Sequence, residues 1–163
     1  MSLETLSGVG ATLAIGTTTA AAIASEFEAD TYQEIGQLGD ISELSEERAA
    51  ATFTGLKDGR TVTARGSKSV APVTINYALK SSGDDGYDDL VTAYAAPPGS
   101  DEFNFRVMLD DQITPSTGNP TTFYFRAKVM KHPVSIGGVD ADGTVMRQTV
   151  LAINTQILEV AAV

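Results

Sequence analysis

The sequence predicts a mainly β protein: an antiparallel β-sandwich or barrel with one flanking α-helix and a long projecting loop. Three observations carry this. Several segments alternate apolar and polar residues, as half-buried strands do; Val73 to Lys80 and Phe123 to Met130 alternate most cleanly. One segment has helical spacing, with Tyr87, Leu90, Val91 and Tyr94 at i, i+3, i+4 and i+7. Asp58-Gly59 and Asp142-Gly143 supply the positive φ that hairpin turns require.

Taken in order, Gly10 to Thr19 reads as a short strand with Leu13 and Ile15 on one face. Residues 17–29 are small and polar and read as a loop. In Asp30 to Leu44, Tyr32, Ile35, Leu38, Ile41 and Leu44 recur every third residue, as in a helix. Gly36 and Gly39 weigh against a helix, and two short strands broken at the glycines are the preferred reading. Residues 45–50 are polar and small. A hairpin or long loop follows around Asp58-Gly59. Its large apolar residues are Phe53, Leu56 and Val62, too few to bury the segment, so it needs a partner surface.

Val73, Ile75, Tyr77 and Leu79 give the next strand an apolar face, opposite Thr74, Asn76, Ala78 and Lys80. The helix then carries Asp84, Asp85, Asp88 and Asp89 in its first turn, where carboxylates complement the helix dipole, and Pro97-Pro98 stops it. Phe103, Phe105, Val107 and Leu109 face opposite Asn104, Arg106, Met108 and Asp110 on another strand. After a loop at 112–120, Phe123, Phe125, Ala127 and Val129 face opposite Tyr124, Arg126, Lys128 and Met130. Pro133 makes Val134 to Gly137 a bent or edge strand. Thr144 to Val160 is too long for one strand, so a bulge is expected near residues 147–149. Leu151, Ile153 and Ile157 lie on one of its faces, Gln148, Asn154 and Gln156 on the other.

At 163 residues and 17.0 kDa the chain is the size of one domain. The absence of cysteine excludes disulfides, thiolate metal sites and cysteine catalysis. A Ser-His-Asp triad would need the single histidine, His132, and no nucleophile, orienting acid or pocket accompanies it in sequence. Asp140-Ala141-Asp142-Gly143 opens like a calcium loop, but its twelfth position is Leu151 rather than Glu, so it reads as a turn. Gly66-Ser67-Lys68-Ser69 lacks the Gly-Lys-Ser/Thr order of a phosphate loop. No enzyme activity, cofactor or metal is expected. Met1 to Ser25 has no Lys or Arg, so a signal peptide is not expected, and the run Thr19 to Ala24 is too short for a membrane anchor.

The net charge of −10 and pI near 4.4 disfavour tight nucleic-acid binding and anionic membranes. The charge is also segregated. Residues 1–47 carry acids and no base, residues 48–80 carry Arg48, Lys57, Arg60, Arg65, Lys68 and Lys80 against Asp58, and residues 81–111 carry acids against Arg106. Such blocks suit self-complementary assembly.

The order ATLAIG, TYQEIGQLGDI, ATFTGLKDGRTVTARG, VTINYAL, DDGYDDLVTAY, FNFRVML, GNPTTFYFRAKVM and LAINTQILEV resembles the major tail tube protein of long-tailed bacteriophages, over about residues 10–160. That resemblance implies a structural virion protein: one domain over 1–163, with an N-terminal arm of about 1–29 and a projecting loop of about 46–68. It implies hexameric rings stacked into a hollow tube that conducts DNA from capsid to host. The implied lumen strands lie around 38–45, 70–80, 121–132 and 144–158, which sets Asp40, Thr74, Asn76, Arg126, Lys128, Gln148, Asn154 and Gln156 towards the lumen. Contacts between rings or subunits are expected at Arg48, Lys57, Asp58, Arg60, Arg65 and Lys68, against acids such as Glu43, Glu46 and Glu47. A negative lumen would let DNA slide; Arg126 and Lys128 oppose that sign unless nearby acids pair them. Implied partners are further copies, the tape measure, distal tail and tail terminator proteins, and DNA in passage, without a membrane anchor. The implied location is the virion tail, assembled in the host cytoplasm. The alternatives are a tube-ring protein of a contractile tail or secretion system, which shares the fold logic, and a monomeric ligand-binding β-barrel, which would hold an apolar interior pocket.

Overall fold

The computed structural model describes residues 10–78, 85–112, 117–131, 136–139 and 145–163. Their strands are β1 (Thr12–Ile15), β2 (Gln33–Glu34), β3 (Gln37–Ile41), β4 (Glu46–Thr54), β5 (Thr61–Val70), β6 (Val73–Ala78), β7 (Phe103–Met108), β8 (Thr122–Val129), β9 (Ile136–Val139), β10 (Val145–Ile153) and β11 (Leu158–Val160). Two helices join them, α1 (Ala24–Glu28) and α2 (Asp85–Ala95). Nine strands form one antiparallel sheet, ordered β2-β1-β7-β8-β10-β6-β3, with β11 on β8 and β9 on β10; β4 and β5 pair only with each other.

The large sheet curls on itself. Its two end strands, β2 and β3, are joined through Ile35 and Gly36, and the Ile35 N–H bonds the Leu13 carbonyl of β1 at 2.9 Å. Alternation places one residue of each pair inside. Leu13, Ile15, Val73, Ile75, Tyr77, Phe105, Phe125 and Leu151 are fully buried in one cluster, with Phe105 and Phe125 stacked at 5.8 Å. Each such side chain contributes roughly 1.5–3 kcal/mol by leaving water. The interior is packed with side chains.

Helix α2 closes the curl with Leu90 and Tyr87 of the expected apolar stripe on the core, but its contact is rotated away from Tyr94 towards Gly86 and Ala93. Gly86, Leu90 and Ala93 are buried, while Tyr94 is exposed. The reason is close approach: a Cβ on Gly86 would lie 2.3 Å from the Glu34 carbonyl oxygen. The helix therefore settles through Gly86, Leu90 and Ala93, at i, i+4 and i+7, with small residues at either end of the contact.

Other expectations need correction. Residues 17–29 contain α1 instead of an unbroken loop; the Glu26 carboxylate accepts from the Ala22 N–H at 2.8 Å and serves a free donor at the helix start. Most of the expected arm at 1–29 is built into the body, since β1 lies between β2 and β7. The 30–44 segment is two strands, with a register shift between Leu38 and Asp40 at Gly39. The terminal strand is broken at 154–157, and its bulge falls between Met146 and Arg147, at the edge of the expected site. Lys80, Asp84, His132, Pro133 and the Asp140–Gly143 turn lie outside the described residues.

Candidate assembly surfaces

Three outer surfaces carry the chemistry: a strapped face, an open polar face and the β4–β5 hairpin.

The outer face of β1, β7 and β8 is covered by a strap, residues 17–32, that includes α1. Phe27 stacks on Tyr124 at 5.5 Å, and Ala21, Tyr32, Leu158 and Val160 complete a second apolar cluster. A polar hub fastens the strap. Asp30 accepts from the Thr17 N–H (2.9 Å), Thr17 Oγ1 (2.7 Å), the Thr31 N–H (2.9 Å) and Asn104 Nδ2 (2.7 Å). Burial alone would raise its pKa, but the hydrogen bonds from Asn104, Thr17 and Thr31 outweigh that and hold it below the ordinary carboxylate value. Asn104 is fully buried; it also donates to the Thr19 carbonyl at 2.9 Å and accepts from Arg126 Nε at 3.1 Å. The Arg106 guanidinium lies 4.5 Å over the Tyr32 ring, and burial pushes the Tyr32 phenol well above its usual pKa.

This hub captures Arg126. Its Nη2 donates to the carbonyls of Thr18 (3.1 Å) and Glu102 (3.2 Å), and its Nη1 lies 3.7 Å from the Glu102 carboxylate. Lys128 pairs with Asp101 at 3.1 Å, a contact that lowers the Asp101 pKa. Both bases that trouble a negative lumen are thus neutralised by acids of the same chain.

The second surface is the outer face of β3, β6 and β10. Asn76 is the cross-strand partner of both Asp40 and Gln148, and Thr74 that of Val150. Gln148 Nε2 donates to Asn76 Oδ1 at 3.1 Å, and Lys131 donates to Gln148 Oε1. Asp40, Thr74, Asn76 and Gln148 therefore share one face, with Lys128 further along it on β8. Asn154 and Gln156 lie apart and exposed, in the break between β10 and β11. Amides and hydroxyls dominate this face. Its charged side chains are Asp40, the Lys131 that bonds Gln148, and further along the Asp101-paired Lys128, so acids do not dominate its described part.

The third surface is the hairpin. Strands β4 and β5 register from Glu46↔Val70 to Thr54↔Thr61, longer than the 46–68 expected. The turn is wider than a two-residue Asp-Gly turn: the Gly55 N–H bonds the Arg60 carbonyl at 3.0 Å, and Gly59 has φ 63° while Asp58 keeps negative φ. No side chain of the hairpin is buried. Phe53 is 71%, Val62 60% and Leu56 103% exposed. Arg48, Lys57, Asp58, Arg60 and Arg65 are exposed along it, as are Glu43 and Glu47 near its root. Glu46 and Lys68 have work inside the chain: they pair at 3.5 Å, and Glu46 Oε1 accepts from the Ile157 N–H at 2.9 Å, clamping the hairpin root to the body. Among the described residues, no group of three or more His, Asp or Glu is placed to hold a metal ion. No described helix is long and apolar enough to cross a membrane.

Solved structures contain the same architecture. A chain from the cap that terminates the tube of the anti-feeding prophage superposes with a TM-score of 0.68 at 8% identity, over 99% of this chain and 94% of that one. A chain from the sheath/tube terminator of an extracellular contractile injection system, in its extended state, gives 0.66 at 11% identity, over 98% and 100%. The fold is one that contractile injection systems use. A chain from the six-fold symmetrised anti-feeding prophage baseplate gives 0.62 at 11% identity over 99% and 98%, so this injection-system fold spans the chain almost end to end. No protein-family model and no curated protein matches the sequence.

Sequence reasoning missed the hub. Asn104 alternates as an outward residue, and nothing in the sequence signals that residues 17–32 fold back over it. The acid-base neighbours Asp101-Glu102 and Arg126-Lys128 are the one usable signal, since two adjacent antiparallel strands bring them together.

Proposed function

We propose that this chain is a structural subunit of a tail tube. Copies join head to tail into six-membered rings, rings stack into a hollow tube, and the open polar face lines a channel that conducts DNA from capsid to host. The observation that carries this is the hairpin, a segment of some two dozen residues without a buried side chain and with an apolar tip in water. Such a segment gains stability only against another surface. The shared fold supports the reading, because the proteins that carry it belong to tube terminators, caps and baseplates, one of them six-fold symmetrised. In the virion tail, assembled in the host cytoplasm, its neighbours would be the tape measure, distal tail and tail terminator proteins. A face of amides and hydroxyls offers phosphate little to grip, so DNA passes without adhesion.

A second reading has its own support: two of the similar structures come from an extracellular contractile injection system, which favours a tube or terminator ring of that class, although a phage baseplate chain is also similar. The ligand-binding barrel fares worse, since Tyr77, Phe105 and Phe125 fill the interior that its ligand would occupy.

The test is the assembly state of purified protein, by light scattering on a sizing column and negative-stain electron microscopy. Rings or hollow tubes are expected. A monodisperse monomer at high concentration overturns the proposal.

A further inference from the structure

Two arginines share the strapped face, and the fold treats them oppositely. Arg126 is saturated: its Nε and Nη groups hold Asn104, the Thr18 and Glu102 carbonyls and the Glu102 carboxylate. Arg106 lies on the neighbouring strand, in register with Tyr124. It has a π contact with Tyr32 and, among the described residues, neither a hydrogen bond nor an ion pair. Its Nε is sealed from water with no acceptor. An aromatic ring attracts a cation but offers no oxygen to the five N–H donors of a guanidinium. A half-buried arginine in this state leaves part of its desolvation uncompensated.

Arg106 lines a pocket of about 300 Å³, at the small end of ligand sites. Asn119 lines it as well. Its carbonyl accepts from the Val163 N–H at 3.0 Å, but its exposed side-chain amide has no hydrogen bond among the described residues. Met108, Pro120 and Val160 give the pocket an apolar wall. Glu28 is the other charged residue of the lining, exposed and in no ion pair with Arg106. Burial and Glu28 raise the Tyr124 pKa while Arg106 opposes them, so both charges act on the same small space.

We propose that this pocket binds an organic monocarboxylate with a short aliphatic body. The carboxylate accepts from the free N–H groups of Arg106 and from the Asn119 amide, charge-assisted bonds that Arg106 does not make within the chain. The aliphatic body lies on Met108, Pro120 and Val160. Glu28 sets the charge of the ligand: one carboxylate meets Arg106, while a second negative charge would meet Glu28, so phosphate and dicarboxylates are rejected. The same chemistry is carried by a free short-chain acid and by a glutamate side chain of another polypeptide. The site is independent of how the chain assembles.

Saturation-transfer NMR on the purified chain, with sodium butyrate as the probe, reads binding whatever the size of the assembly. Butyrate is expected to bind in the millimolar range. Its neutral analogue butyramide is not, and phosphate should not displace it. A glutamate capped as its acetyl and methylamide derivative separates the two sources: tighter binding than butyrate assigns the site to a polypeptide, weaker binding to a free acid. Arg106→Gln should weaken butyrate at least about tenfold and Asn119→Ala about threefold, the size of one charge-assisted and one neutral hydrogen bond. Arg60→Gln, on the hairpin, should leave binding unchanged, and Glu28→Gln should let phosphate compete. If Arg106→Gln loosens the strap, the butyramide comparison on wild type and the Asn119→Ala variant decide. No saturation transfer to either carboxylate at tens of millimolar, equal binding of butyramide, or undiminished binding by a folded Arg106→Gln overturns the site and leaves the tube reading standing.

Discussion

The body and the β4–β5 hairpin are built by opposite rules. In the body, alternation along each strand sends large side chains inward, and the core residues touch each other and no water. The hairpin has the same backbone pairing and a similar strand propensity, yet beyond Val70, which packs on the core at its root, its large apolar side chains Phe53, Leu56 and Val62 face solvent. Its Thr-rich composition fits a pleated strand but supplies no buried face. Backbone pairing alone therefore does not make a two-stranded ribbon stable, and this one is fastened at its root by Glu46, Lys68 and Ile157. The lesson is a division of labour: the body's residues act on folding, the hairpin's on association.

Substitutions sharpen that division. The largest effect is expected in the core, where Phe125→Ala removes one ring of the Phe105–Phe125 stack and costs about 3–5 kcal/mol in urea unfolding. Next comes the strap. Asp30→Ala strands the buried Asn104 amide and the Thr17 donors, at about 2–3 kcal/mol. Its pH signature is specific. Because the folded carboxyl is held below its ordinary value, its contribution is complete above the unfolded pKa of about 3.9 and disappears as pH falls through the folded pKa. The stability gap between wild type and Asp30→Asn should be flat near neutral pH and shrink below about pH 4.

Gly86→Ala is expected to cost about 2 kcal/mol, because the added methyl pushes α2 off the Glu34 backbone. Glu46→Ala removes the root clamp and should change body stability by about 1 kcal/mol or less, while speeding proteolysis at 47–69. Phe53→Ala and Val62→Ala should leave unfolding within about 0.5 kcal/mol of wild type and impair assembly. A large stability loss from either would break the comparison, since it would reveal a buried role for the hairpin.

Much of the fold is legible in sequence because period-two alternation is a direct consequence of a half-buried sheet. Val73 to Ala78 reads correctly for that reason, and Gly36 and Gly39 correctly turn 30–44 into strands. Alternation says which residues share a face, not what covers it. Tyr124 and Asn104 alternate as outward residues and are nonetheless buried, because the strap that covers them is a long-range contact with no local signature. The helix stripe is legible in Tyr87 and Leu90 but not in Tyr94: large residues mark an apolar face, whereas Gly86 sets the closest approach and rotates the contact towards itself. Of the surface residues, the exposed bases of the hairpin were legible from charge segregation. The pairing of Glu46 with Lys68 inside the chain, and of Arg126 and Lys128 with their own acids, followed only from strand register.

The central claim is that the body folds and the hairpin assembles. It is tested most directly by excising residues 49–66 in favour of a short glycine-serine turn, then comparing melting temperature and assembly state with wild type in parallel. The account predicts an unchanged melting temperature, rings or tubes from wild type, and monomers from the excised protein. An excised protein that unfolds, or that builds the same rings, would contradict it.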